Sequence, residues 1–326
     1  MFKLLFYTEG GKEHGYGRLA RCRTLYDEFV KAGHAARFLV TGDRTISGIL
    51  AEDTYTLCNW LADEPDRCDL AVIDSGRAGE QDCARIAAKA KLALYLDDNN
   101  RLAYPAGMVL NGALAAEKIK YPRAAGRHYL LGPKYQLIRP EFLGGGKENL
   151  PPAPRSVLVT FGGNDRRNLS PVALKVLTEH FPGLEKNVAV GKSYTNGRDM
   201  ARYTDPKTLF FYAPGAGEMA QLMRLSDFAV CAGGQTLFEL AACGTPAAVI
   251  GIADNHDQNI KGWLDAGFIS FAGWHDDSDI ETNLLHAVNA ITSPGALAEK
   301  TGRGGRFINP GAAREVFEVL AARLMK

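Results

Sequence analysis

Short apolar runs alternate with amphipathic stretches along the whole chain, and the alternation restarts once near the middle. Such runs, bounded by turn formers and separated by helical periodicity, predict parallel strands crossed over by helices in an α/β, doubly wound design. In the first half they predict strands over residues 3–7, 36–40, 70–74, 92–96 and 108–111. The helix after the first strand is the clearest: Leu19, Cys22, Leu25, Tyr26, Phe29 and Val30 fall at helical spacing and Gly33 stops it. The second half restarts with SVLVTFGGND, a strand running into a glycine turn. Further strands are expected near 187–190, 209–212, 228–231, 247–250 and 268–271, with helices over 218–225 and 236–242. Between the halves lies GGGKENLPPAPR, residues 144–155, whose glycines and prolines exclude a helix or a central strand and read as an interdomain linker. Residues 312–325 form an amphipathic pattern after an Asn-Pro-Gly turn, and Val316, Phe317, Val319, Leu320 and Leu324 need a surface to cover them. The pattern predicts an N-terminal domain over 1–148, a C-terminal domain over 156–310 and a helix over 311–326 that packs back on the first domain.

Length agrees with this division, since 326 residues suit two cores of roughly 150 residues each better than one. Lys plus Arg number 38 and Asp plus Glu 37, so no global field draws in nucleic acid or an anionic membrane, and any anion site must be local. Cys22, Cys58, Cys68, Cys83, Cys231 and Cys243 form no CxxC pair and sit mostly in apolar contexts, as in a reducing, cytoplasmic compartment. The first apolar run is too brief for a signal-peptide core, and no stretch of about 18 apolar residues predicts a membrane span. A lipid-linked substrate remains compatible with this.

Three strands run into glycine-rich turns ahead of helices, an arrangement that aims backbone N–H groups and a positive helix end at one point, where anions bind. The turns are Gly10 to Arg18, then Phe161-Gly162-Gly163-Asn164-Asp165, then Ala232-Gly233-Gly234-Gln235-Thr236. In the third, Glu239 follows Gly234 by five residues, about 7.5 Å along a helix, which a ribose spans if a diphosphate rests on the glycine amides. Gly15-x-Gly17-x-x-Ala20 with Asp43 also fits a dinucleotide fingerprint, a weaker reading that points to nicotinamide or flavin chemistry. No HxxxH pair and no Asp-x-Asp triplet predicts a metal site, and neither a GxSxG elbow nor a P-loop is present. No cofactor is expected.

At these residues the chain resembles a GT-B-fold family that contains the UDP-2,4-diacetamido-2,4,6-trideoxy-altropyranose hydrolase of pseudaminic acid biosynthesis and related spore-coat polysaccharide proteins. More distantly it is similar to the lipid-linked N-acetylglucosaminyltransferase of peptidoglycan synthesis. The resemblance runs through GYGRLARC, VIDS, LDDNNR, VLNG, LLGPKYQLIRPEF, VLVTFGGND, VAVGKSYTN, AGGQTLFELAACGTP, NHDQN and NPGAAR.

The resemblance implies two Rossmann-like domains with a cleft between them and a UDP-sugar as substrate. It implies nucleotide binding by Gly233, Gly234, Gln235, Thr236 and Glu239. Gly162, Gly163, Asn164, Asn255, His256 and Gln258 would line the substrate site, and the Gly15, Gly17 and Arg18 loop, with Arg21 and Asn111, would face the sugar. In the family pattern, Gly-x-Gly-His-x-x-Arg, the histidine is the proposed base; here Arg18 holds that position, and guanidinium does not take a proton from water. After Asp74, where the family carries an aromatic contact, the chain reads Ser75-Gly76-Arg77. His14, Asp74, Asp97 or Asp98 would then supply the base, while Arg18 grips a phosphate or a sugar carboxylate; otherwise the sugar passes to an acceptor other than water. The expected activity is metal-independent, inverting cleavage of the sugar–diphosphate bond by hydrolysis or by transfer to a sugar or lipid-linked acceptor. The remaining alternative is an inactive nucleotide-sugar-binding subunit.

Overall fold

The computed structural model describes residues 1–147, 151–195 and 197–326, so the middle of the predicted linker and the last residue of VAVGKSYTN lie outside the described residues. The chain divides into two compact units, one of Met1–Arg139 with Asn309–Lys326 and one of Pro140–Ile308.

The first unit is a seven-stranded parallel sheet in the order β3-β2-β1-β4-β5-β6-β7. Its strands are β1 (Lys3–Gly10), β2 (Ala35–Gly42), β3 (Tyr55–Leu57), β4 (Cys68–Asp74), β5 (Ala90–Leu96), β6 (Gly107–Asn111) and β7 (Arg127–Leu131). Helices α1 (Gly17–Lys31) and α2 (Glu80–Ala87) supply crossovers. Strand β1 is buried on both faces, and its alternate residues feed two cores: Leu4 and Phe6 meet Leu25 and Phe29 of α1, while Leu5 and Tyr7 meet Cys83 and Ile86 of α2. Val316, Phe317 and Leu320, from the chain's last helix (Ala312–Leu324), join the α1 core, with Phe317 edge-on to Phe29 at 4.8 Å.

The second unit repeats the plan with six parallel strands, β8 (Ser156–Thr160), β9 (Glu185–Val190), β10 (Thr208–Tyr212), β11 (Phe228–Ala232), β12 (Ala247–Gly251) and β13 (Ile269–Trp274). The order is β10-β9-β8-β11-β12-β13. Its helices are α3 (Leu169–His180), α4 (Gly197–Met200), α5 (Ala216–Leu225), α6 (Thr236–Ala242), α7 (Asp257–Asp265), α8 (Ile280–Thr292) and α9 (Ala296–Gly304); the terminal helix above is α10.

Both sheets reverse their winding at one point, between β1 and β4 in the first unit and between β8 and β11 in the second. In doubly wound sheets, ligands bind outside the carboxyl ends of the strands at such a switch point. The glycine turns after β1, β8 and β11 all leave from these positions.

The units divide at Arg139/Pro140, ahead of the glycine-proline segment and of residue 148, because the chain from Pro140 is already held by the second unit. Phe142 is fully buried there, Arg224 Nη2 donates to Glu141 O at 2.8 Å, and Lys147 Nζ donates to Ser226 O. The return to the first unit begins at Asn309, whose side chain donates to Lys134 O at 2.9 Å.

Candidate functional site

In the second unit, strand β11 ends at Ala232 and α6 starts at Thr236, leaving Gly233, Gly234 and Gln235 as the turn. A side chain at Gly233 has no room, since a Cβ there would lie 2.5 Å from Cδ1 of Ile260 on α7. Asn259, buried on the same helix, donates from Nδ2 to the carbonyls of Gly233 at 2.7 Å and Gly234 at 3.0 Å. In a trans peptide the N–H points opposite to the C=O. Pinning these two carbonyls toward α7 therefore aims the amides of Gly234 and Gln235 away from it. Among the described residues, the amide of Gly234 has no backbone acceptor outside the helices and strand ladders. His256 completes the cluster, with Nε2 3.2 Å from where a Cβ on Gly234 would stand.

The AGGQT turn and the NHDQN block are thus brought together. Asn255 is in the short 3-10 turn Asp254–His256, and Gln258 is on α7 with Nε2 3.4 Å from Asp257 Oδ2; both are half-buried. Glu239 is 5 % exposed, a buried residue of α6 and not a solvated one. Asn259, absent from the sequence-based set, is the residue that joins the two motifs.

The turn after β8 carries Gly162, exposed, with Gly163 and Asn164 half-buried. Asp165 ends it by accepting from the Leu169 and Ser170 amides, both at 2.9 Å, which anchors the start of α3. Ser193 N donates to Gly163 O at 3.0 Å, tying this turn to the loop after β9.

In the first unit the loop from β1 to α1 folds into a small turn closed by Gly11 N to Gly15 O at 3.1 Å and Gly15 N to Gly11 O at 2.8 Å. His14 lies within it, half-buried and without a hydrogen-bond partner among the described residues, and Gly17 opens α1. Asp43 holds the loop from the side, accepting from Lys12 N and Thr45 N, each at 2.8 Å. Burial works against its charge, but the hydrogen bonds from Thr45 and Lys12 outweigh that and hold its carboxyl below the usual range. Asp43 is a loop brace, which removes the acidic residue that the dinucleotide fingerprint needs.

One turn along α1, Arg18 and Arg21 face the carboxyl ends of the strands. Arg21 forks onto Asp74, Nε to Oδ2 at 2.6 Å and Nη2 to Oδ1 at 2.7 Å, and reaches Asp98 Oδ1 with Nη1 at 2.6 Å. Burial alone would lower the pKa of Arg21; Asp74 and Asp98 reverse this and raise it well above its usual value. Asp74 is 1 % exposed. In this arrangement both Asp74 oxygens accept from the Arg21 fork, which anchors α1 to the end of β4. Asp98 shares that arginine and is half-buried.

Asp97 accepts from Asn100 N at 2.6 Å, Arg101 N at 3.2 Å, Tyr104 OH at 2.7 Å and Tyr121 OH, and is the hub of its loop. Asn111 is buried at the end of β6, where Nδ2 donates to Tyr121 OH at 2.9 Å and Oδ1 accepts from Ala113 N at 2.9 Å. It joins this same hub through Tyr121. A residue that sequence reasoning passed over, Glu9, lies at the end of β1, 1 % exposed, accepting from Ser75 Oγ and from Gly76 N at 3.1 Å. An acid inside an apolar strand was the available signal. Among the described residues, no group of three His, Cys, Asp or Glu is placed to hold a metal ion, and no helix is long and apolar enough to cross a membrane.

No family model matches the chain. It is 23% identical over 325 residues to the spore coat polysaccharide biosynthesis protein SpsG of Bacillus subtilis, covering 94% of this chain and 93% of that protein. It is 26% identical over 301 residues to the pseudaminic acid cytidylyltransferase and UDP-2,4-diacetamido-2,4,6-trideoxy-beta-L-altropyranose hydrolase of Helicobacter pylori, covering 87% of this chain and 53% of that one. A Methanocaldococcus jannaschii protein is 23% identical over 269 residues, 76% of this chain and 55% of its own. The chain therefore spans only about half the length of these last two relatives. Among solved structures it is similar to Acinetobacter baumannii MurG, with a TM-score of 0.67 at 14% identity over 98% of this chain and 99% of the other. It is also similar to S. aureus MnaA, solved with UDP, with a TM-score of 0.63 at 10% identity over 100% and 97%. The fold is GT-B, with two parallel-sheet α/β domains.

Proposed function

We propose that the protein is a nucleotide-sugar enzyme that breaks the bond between the anomeric carbon and the diphosphate of a UDP-sugar. The nucleotide seat is assigned to the second unit. The observation that carries this reading is the Gly233–Gly234 turn, its carbonyls held by Asn259 so that the Gly234 amide is aimed outward, at the switch point of its sheet. Similarity to a protein named for hydrolysis of a UDP-diacetamido sugar, and to a structure solved with UDP, agrees with it.

In this reading the diphosphate rests on the outward-aimed amides of the Gly233–Gly234 turn, that of Gly234 first, at the start of α6, with Gln235 and Thr236 beside it and Glu239 toward the ribose. Gly162, Gly163, Asn164, Asn255 and Gln258 line the same end of the sheet. A nucleophile attacks the anomeric carbon from the face opposite the diphosphate; the C–O bond breaks, its electron pair leaves with UDP, and configuration inverts. The amides stabilise the departing charge without a metal. His14 is the group we assign to take the proton of the nucleophile, because an imidazole nitrogen can accept a proton and this one has no other partner among the described residues. The sugar suggested by the Helicobacter relative is a diacetamido-trideoxyhexose, handled in surface-glycan or nonulosonic acid synthesis.

Transfer to a sugar or lipid-linked acceptor is the second reading, favoured by the commitment of Asp74 and Asp98 to Arg21. Incubation with UDP-sugars separates the two: UDP release without acceptor marks hydrolysis, and acceptor-dependent release marks transfer. In either case His14→Asn is expected to lower turnover at least about 100-fold, within the usual range for a lost acid–base group. Undiminished turnover removes His14. Tight UDP-sugar binding with neither release leaves a binding subunit and overturns the enzymatic reading.

A further inference from the structure

Glu9 at the end of β1 and Asp74 at the end of β4 flank the switch point of the first sheet. Arg18, in the first turn of α1, stands beside both: its Nη1 is 3.9 Å from Glu9 Oε2 and its Nε 3.7 Å from Asp74 Oδ1. These are ion pairs without a hydrogen bond. Glu9 has already accepted from Ser75 and Gly76, and Asp74 from Arg21. The guanidinium is therefore held by charge on two sides, yet its N–H donors meet no acceptor among the described residues. Arg21, three residues on, has its donors bound to Asp74 and Asp98.

The neighbouring loop leaves space for Arg18 in particular. A Cβ on Gly76 would fall 2.6 Å from Nη2 and 3.0 Å from Cζ of Arg18, so any side chain there displaces the guanidinium. The side chain of Arg18 is 29% exposed, open enough to be reached by a ligand.

The surrounding charge decides what kind of oxygen those donors suit. Along this chain of contacts three carboxylates, Glu9, Asp74 and Asp98, face two guanidiniums, Arg18 and Arg21. A phosphate or sugar carboxylate drawn to Arg18 would stand beside Glu9 and Asp74 and be repelled by both. An uncharged acceptor has no such opposition.

We propose that Arg18 is a specificity-determining residue that donates to an uncharged oxygen of the sugar, a hydroxyl or the carbonyl of an acylamino group, and that Glu9 is the positioning residue that holds it there. The pair selects against sugars that carry a carboxylate. This rests on the reading of the substrate as a UDP-sugar.

Calorimetry with UDP, UDP-N-acetylglucosamine and UDP-glucuronate tests it. Wild type is expected to bind UDP-N-acetylglucosamine at least about 10-fold more tightly than UDP-glucuronate, the scale of one well-placed hydrogen bond. Arg18→Ala weakens UDP-N-acetylglucosamine about 10-fold and does not tighten UDP-glucuronate, and Glu9→Gln, isosteric and uncharged, narrows the gap between the two. Gly76→Ala reproduces the Arg18→Ala result while removing no charge, so it stands even if Arg18→Ala fails to fold. In the Arg18→Ala background, Gly76→Ala adds nothing. UDP alone binds all variants equally. Tighter binding of UDP-glucuronate by wild type, or an affinity for UDP-N-acetylglucosamine unchanged by Arg18→Ala and Gly76→Ala, overturns the inference while the functional reading stands. Failure of wild type to bind UDP overturns that reading, and this inference with it.

Discussion

A methyl group on Gly233 would lie 2.5 Å from both Cδ1 and Cγ1 of Ile260, so the glycine turn after β11 and the first half of α7 are fitted against each other without slack. Ile260 is 3 % exposed and has nowhere to retreat. Gly233→Ala is therefore expected to destabilise the protein by about 1–3 kcal/mol, the cost of overpacking, and to weaken UDP binding. Urea denaturation checks the first and calorimetry the second. If the clash is the cause, Gly233→Ala and Ile260→Ala together cost less than the sum of the two alone. Strict additivity would place the effect elsewhere.

Asn259 acts on the same turn from the carbonyl side. Its replacement by Ala leaves the Gly233 and Gly234 carbonyls without their side-chain donor, a loss of about 1–3 kcal/mol for buried groups. The turn then no longer aims its amides, so affinity for UDP should fall by about 10-fold or more while affinity for uridine, which has no phosphate, changes little. An equal loss for both would assign Asn259 to general packing.

Arg21 is expected to be a stability residue. Arg21→Ala strands the buried Asp74 carboxylate, and the loss should approach about 3 kcal/mol in urea unfolding, as for other broken buried pairs. Asp74→Asn should also destabilise. An Asp74→Asn protein as stable as wild type but without turnover would restore Asp74 as a base.

Lys147 provides a pH test of the boundary between the units' sequences. Burial pushes its ammonium down to about 8, against the raising influence of Asp227 and Cys243. In the unfolded chain the group titrates near 10.4, so between these values the unfolded state binds more protons than the folded one. Its contribution to stability therefore rises with pH from about 8 to about 10, and below 8 the buried charge is a fixed penalty. The unfolding free energy of wild type minus that of Lys147→Met should rise across that window. A flat difference would mean that the ammonium is solvated.

The strand pattern of both sheets was legible because parallel strands covered on both faces read as unbroken apolar runs, as LLFY and FAVCA do. Edge strands β3 and β7 were not: β3 has three half-buried residues, and β7 mixes Arg127 and His128 into its pairing run. The linker was placed at residues 144–155 by its glycines and prolines, but composition does not reveal that Phe142 and Lys147 are already committed to the second unit. At the sites, the glycine turns stand out in sequence because their backbone needs are local. Asn259, Glu9 and the Arg21 fork depend on contacts across 26, 66 and 53 positions, which no spacing rule encodes.

The central claim is that the Gly233–Gly234 turn seats the phosphates of a uridine nucleotide, and a crystal structure with UDP bound tests it most directly. The account predicts diphosphate oxygens within about 2.7–3.2 Å of the Gly233 or Gly234 amide nitrogens. UDP seated instead on the Gly11–Gly17 loop, or no UDP bound at saturating concentration, would contradict it.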